Sequence, residues 1–168
     1  MERCFRLAAN IDLHVASARA CSEEAVDGVT CGSVSAGDIV KFKGRHFGLT
    51  LSHTSRIDGW RPYSYFREVM VDGSFARFEH EHHFAVMDDG TRMRDEIRFA
   101  APCGLLGKMT EKLVRRHLIA MLKQRNAIIR RVAESEEWRQ YLGESAEAKK
   151  LIRERQETLA GGWDRLRA

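Results

Sequence analysis

The run Phe78-Glu79-His80-Glu81-His82-His83-Phe84-Ala85-Val86-Met87-Asp88-Asp89-Gly90-Thr91-Arg92-Met93-Arg94-Asp95-Glu96-Ile97-Arg98-Phe99 reads as two alternating strands joined by a turn. Asp-Gly between such runs is a hairpin signal, because both central residues of a type I′ turn take positive φ. Counting outward from Asp89-Gly90 sets Asp88 against Thr91, Val86 against Met93, Phe84 against Asp95, His82 against Ile97 and His80 against Phe99. Alternation then places all of these on one face. The other face, Glu79, Glu81, His83, Arg92, Arg94, Glu96 and Arg98, is charged and reads as the solvent side. The inward face is mostly apolar, with Phe78, Phe84, Val86, Met93, Ile97 and Phe99, but contains His80, His82 and Asp95. Each needs a partner or a ligand, since an unpaired buried polar group costs roughly 1–3 kcal/mol.

Upstream, Gly44-Arg45, Asp58-Gly59 and Asp72-Gly73 add turn signals, so the spacing predicts an antiparallel meander from Asp38 to Phe99. In the neighbouring strand Tyr63 to Val71, a plain two-residue turn would send Tyr63, Tyr65, Arg67 and Val69 inward. A bulged turn would instead send Phe66, Glu68 and Met70 inward. Nearer the N-terminus, Phe5 to Ile11 reads as a first short strand and Asp12 as the cap of a helix reaching Cys21, with a further helical turn at Ser22 to Ala25.

Downstream, Pro102 and Gly104 close the sheet and a long helix is expected from Leu105 to Val132. On a wheel of 100° per residue, Met109, Leu113, Val114, His117, Leu118, Ala120, Met121, Ile128 and Ile129 share one arc. Lys108, Lys112, Arg115, Arg116, Lys123 and Arg130 fall opposite. With Arg125 and Arg131, that stretch holds eight basic residues and one acid, Glu111, within a chain of net charge +4. A solvated helix face is the expected reading of this stripe, and the absence of interleaved aromatics argues against nucleic acid as a partner.

The 168 residues suffice for one globular core. Two units are read along the chain: residues 1–133 as the domain, and residues 134–168 as a charged extension with helical character at Ser145 to Leu159, stopped by Gly161-Gly162. No secretory layout and no membrane-length apolar stretch occurs, so a cytoplasmic location is expected. Cys4, Cys21, Cys31 and Cys103 form no CxxC pair, and reduced, mostly buried thiols are expected.

Several motifs together resemble the SRPBCC superfamily, which includes the START-related lipid-transfer domains and the polyketide cyclase/dehydrases. They are Gly44-Arg45-His46-Phe47-Gly48, Phe66-x-Glu68, Gly73-Ser74-Phe75, His80-Glu81-His82-His83-Phe84, Thr91-Arg92-Met93-Arg94-Asp95 and Pro102-Cys103-Gly104-Leu105-Leu106-Gly107, within a match from Phe5 to Val132. The resemblance implies an α+β helix-grip fold, a curved antiparallel β-sheet wrapped around a long C-terminal α-helix with an internal apolar cavity. Relatives of this branch often carry an Asp and a Gln where this chain has Glu68 and Met70, and a Pro at Ser74. The usual inward placement of the acidic position selects the bulged register, with Glu68 inward.

The expected ligand-facing set is therefore Phe66, Glu68, Phe78, His80, His82, Phe84, Met93, Asp95, Ile97, Phe99, Met109, Leu113, His117 and Met121. Two functional readings follow. The first is binding or transport of a small hydrophobic molecule, lipid-like or polyketide-like. The alternative is a cyclase, dehydratase or aromatase in which His80, His82 and Asp95 act as acid/base groups. Between a zinc site built on His80-x-His82 with His117 or Asp95 and histidines paired with carboxylates, the pairing is preferred. No nucleophile, phosphate-loop or dinucleotide motif is present, and no cofactor or metal is called for. A homodimer stays open as a partner call.

Overall fold

The computed structural model describes residues 1–101 and 104–143, apart from the side chains of 104–109. In chain order the elements are α1 (Glu2–Ala8), α2 (Ile11–Ser17), a 3₁₀ turn (Arg19–Cys21), β1 (Glu24–Gly28), β2 (Ile39–His46), β3 (Leu49–Arg61), β4 (Tyr65–Gly73), β5 (Arg77–Met87), β6 (Gly90–Ala100), α3 (Gly104–Glu134) and α4 (Trp138–Leu142). The strands form one antiparallel sheet in sequence order. Bulges at Ala25/Asp27, Thr54/Ser55 and Ile57/Gly59 bend it. The concave face wraps α3 in the helix-grip arrangement. No described helix is long and apolar enough to cross a membrane.

The N-terminal segment differs from its sequence reading. Phe5 to Ala8 lies in α1 and Ile11 opens α2, with a break at Ala9 and Asn10 in place of a strand, because Phe5, Leu7 and Ala8 bury one side of a short helix. A short apolar run has no periodicity that separates strand from helix. The α2 cap is Asn10, whose Oδ1 accepts from the Leu13 amide at 2.9 Å. Asp12 accepts instead from the Gly32 amide. The expected helical turn at Ser22 to Ala25 is replaced by an αL residue, Ser22, and strand β1.

The meander holds, but only one turn signal marks its turn, and that one by a single residue. Gly44-Arg45 lies inside β2, and the β2–β3 turn is Phe47-Gly48, both at positive φ (54° and 80°). Asp58-Gly59 sits within β3 at a bulge, and Gly73 ends β4. The β5–β6 loop is Asp88-Asp89, so the true pairs are Phe84 with Met93, His82 with Asp95, His80 with Ile97 and Phe78 with Phe99. The register is thus two residues from the count made at Asp89-Gly90. A slip of two preserves parity, so the inward set survives it. In β4, Phe66 opposes His82 and Glu68 opposes His80, which is the bulged, Glu68-inward arrangement.

A solid core occupies one end of the grip. Phe5 packs edge-on against Trp60, Phe66 and Phe84, with ring centroids 5.0–5.5 Å apart. Leu7, Leu13, Val40, Phe42, Ile57, Ile129 and Val132 complete it. The C-terminal half of α3 is therefore clamped by α1 and the sheet. Residues 144–168, including the helix expected at Ser145 to Leu159 and Gly161-Gly162, lie outside the described residues.

Candidate functional site

Beside that core, four inward positions on three adjacent strands bring two carboxylates against two imidazoles. His80 Nε2 donates to Asp95 Oδ1 at 2.9 Å. His82 Nε2 donates to Glu68 Oε1 at 3.2 Å. His82 Nδ1 lies 2.7 Å from Asp95 Oδ1 without hydrogen-bond alignment, so that contact is electrostatic. The His82 ring is fully buried and stacks on Phe66, 4.0 Å between centroids. From α3, Asn126 Nδ2 donates to Asp95 Oδ2 at 2.6 Å, and Arg125 Nη2 donates to the Ala8 carbonyl at 2.8 Å.

The electrostatics follow from this packing. Burial would raise the Glu68 carboxyl, but the His82 hydrogen bond, the neighbouring imidazoles and the Arg125 charge hold it well below the usual carboxylate range. Asp95 is driven down in the same way, burial being outweighed by the His80 hydrogen bond, the close His82 ring and the Arg125 charge. His80 is lowered to about 4, first by burial and then by His82. The ionised carboxylates can only accept, so the neutral His80 ring carries its proton on Nε2 and keeps Nδ1 as an acceptor.

Next to this cluster a pocket of about 160 Å³ opens between the sheet and α3. Its apolar wall includes Leu51, Met70, Phe75, Phe78, Ile97, Val114, Leu118, Met121 and Leu122. Glu68, His80 and Arg125 line its inner wall. Arg125 is 7% exposed, and its Nε and Nη1 have no hydrogen-bond partner. At another side, His14, Cys21, Glu23, His46, His53 and His117 reach the same pocket. There His14 Nε2 donates to Glu23 Oε1 at 2.6 Å, and His46 Nδ1 and His117 Nε2 share a proton at 3.0 Å.

The expected site residues divide. Glu68, Phe78, His80, Ile97, His117 and Met121 line the pocket. His82 and Asp95 stand behind His80, one layer further from the pocket. Phe66 and Phe84 belong to the solid core, and Met93 packs against it. Phe99 stacks edge-on with Phe75, and Leu113 is 58% exposed. The Met109 side chain lies outside the described residues. His117 does not join His80 and His82, as its partner is His46.

Arg125 and Asn126 escape the sequence reading, because Arg125 is absorbed into the basic stripe. Its spacing holds the signal: it stands four residues after Met121 and four before Ile129, on the buried arc. Lys112, Arg115, Arg116, Lys123, Arg130 and Arg131 are exposed, while the Lys108 side chain lies outside the described residues. His14, Cys21 and Glu23 come from segments that read as helical, and His46 and His53 from the early part of the meander, where the sequence reading assigns no inward face.

No family model matches this sequence, and no curated protein matches it. Solved structures do resemble it. TTHA0849 from Thermus thermophilus superposes with a TM-score of 0.62 at 20% identity, over 80% of this chain and 91% of that one. Ara h 8.0201 superposes with a TM-score of 0.55 at 15% identity, over 76% of this chain and 88% of that one. At these identities the likeness establishes the fold alone, a Bet v 1-like helix grip.

Proposed function

We propose that this chain binds a small, largely apolar molecule carrying a hydroxyl or weakly acidic tip, held between the sheet and α3. The observation that carries the reading is the pocket itself, apolar over most of its wall, with a neutral His80 and the cationic Arg125 among the few polar residues that line it. An acceptor at His80 Nδ1 suits a hydroxyl, and a buried guanidinium suits a carbonyl or phenolate oxygen. A space near 160 Å³ fits a compact ring system better than a long acyl chain. The Bet v 1-like fold agrees with hydrophobic ligand binding, although a shared fold alone assigns no function.

An enzymatic reading, cyclase or dehydratase chemistry through His80, His82 and Asp95, draws on the His80–Asp95 hydrogen bond. Against it stands the lowering of His80 to about 4, which makes the imidazole a weak base at neutral pH, where a general base works best near 7. Positioning of a ligand is the better use of such a ring. Uptake of a fluorescent apolar probe, its displacement by hydroxylated aromatics, and native mass spectrometry for a co-purifying compound test the binding reading. His80→Phe should weaken hydroxylated ligands and spare purely apolar ones. A loss of turnover of roughly 100-fold on a cyclisation substrate would instead favour catalysis. Folded protein that takes up nothing from a varied panel would defeat the binding reading.

A further inference from the structure

Among the described residues, three groups of side chains bring three metal-ligand atoms within 4.8 Å of one another: Cys21–His46–His117, Glu68–His80–His82 and Glu81–His83–Glu96. The second lies beside the Arg125 charge, and its imidazoles are committed to carboxylates. The third shares its carboxylates with the exposed Arg98. The first differs from both, because it combines one thiol with two imidazoles and no cation touches it.

We propose that Cys21, His46 and His117 form a binding site for a Zn²⁺-class transition metal on the wall of the pocket. The three residues come from the 3₁₀ turn, the end of β2 and the middle of α3, and all three line the pocket. One thiolate with two imidazoles is a donor set for Zn²⁺, and three protein ligands leave a fourth position for water or a ligand atom. With Zn–N near 2.0–2.1 Å and Zn–S near 2.3 Å, ligand atoms in a tetrahedral site stand about 3.3–3.7 Å apart. His46 Nδ1 and His117 Nε2 are already 3.0 Å apart, so small side-chain adjustments admit the ion. The cysteine thiol loses its proton to solvent as the metal enters.

The surroundings orient the ligands. His46 presents Nδ1 to His117, while its Nε2 is 3.7 Å from Glu23 Oε2. That places a carboxylate behind a ligating imidazole at ion-pair distance, where a small shift makes the hydrogen bond that fixes the tautomer with Nδ1 free for metal. Glu23 is 6% exposed and held by His14. Gly44 lets these groups converge: a Cβ there would lie 3.3 Å from the Cys21 carbonyl oxygen, from Glu23 Cβ and from His46 Nε2. Phe47, in its αL turn conformation, lays its ring 4.7 Å from that of His117 and shields one side.

The test is a titration of chelator-stripped full-length protein with Zn²⁺ against a chromophoric chelator, and with Co²⁺ followed by absorption. One metal per chain is expected, with the cobalt form showing a thiolate charge-transfer band and the strong d–d absorption of a four-coordinate site. Cys21→Ser, His46→Gln and His117→Gln should each weaken Zn²⁺ by about 100-fold or more, and Glu23→Gln by about 10-fold. Cys31→Ser and His83→Ala should leave the affinity and the spectrum unchanged. If Cys21→Ser fails to fold, the cobalt spectra of the unaltered protein and of Cys31→Ser decide the matter. No stoichiometric binding, a cobalt complex without the thiolate band, or an affinity lost with His83→Ala but kept in His117→Gln would each overturn the site.

Discussion

His82 and Asp95 face each other as directly paired residues of β5 and β6, with Nδ1 2.7 Å from Oδ1 inside the protein. Asp95 is also the acceptor for His80 and Asn126, so one carboxylate ties β5, β6 and α3 together. The pocket wall at His80 therefore depends on a group that is one layer further in.

Asp95→Ala is expected to destabilise the protein by about 3 kcal/mol or more, because it strands His80, Asn126 and the nearby Arg125 charge in the interior. Urea unfolding monitored by circular dichroism measures it. A loss below about 1 kcal/mol would mean that water or rearrangement replaces the carboxylate.

Stability should fall as the solution is acidified from pH 7 to 4. His80 is about 4 in the folded chain against 6.5 when unfolded, so between these values the unfolded state binds the extra proton and folding becomes less favourable as pH falls. Glu68 and Asp95 act in the same direction at lower pH, since their depressed folded values give stability above the unfolded pKa that is lost below it. The His80 contribution is about 3 kcal/mol at most. Thermal melts of the native chain and of His80→Gln should diverge in slope between pH 6.5 and 4. Parallel profiles would show that His80 is solvated.

Phe66→Ala and Phe78→Ala should separate core from pocket. Phe66 is 1% exposed within the aromatic core, and its truncation is expected to cost about 3–5 kcal/mol. Phe78 lines the pocket, so its truncation should change probe affinity with a smaller loss of stability. Equal stability losses with unchanged probe binding would contradict this division.

Arg125→Met should discriminate between ligands. It removes the guanidinium while filling similar volume, so a weakly acidic probe is expected to lose about 10-fold in affinity relative to a neutral analogue, the scale of one charge-assisted hydrogen bond. Competition binding at one pH measures the ratio. An unchanged ratio would place Arg125 in a purely structural role at Ala8.

The alternating pattern of Phe78 to Phe99 and the apolar arc after Leu105 were enough to determine the sheet, the long helix and the inward side of His80, His82 and Asp95. Periodicity is a local property, and a strand's inward face depends only on parity, which a slip of two residues leaves intact. Which inward residues meet the pocket was decided by tertiary packing. Phe66 and Phe84 are taken into the core by Phe5, on a helix whose short apolar run reads equally well as a strand. Arg125 is buried because the clamped end of α3 turns it toward Ala8. Cys21, His46 and His117 meet only when the 3₁₀ turn, the end of β2 and α3 close on one space. Contacts between segments so distant in the chain leave no period to read, because they depend on where the elements cross.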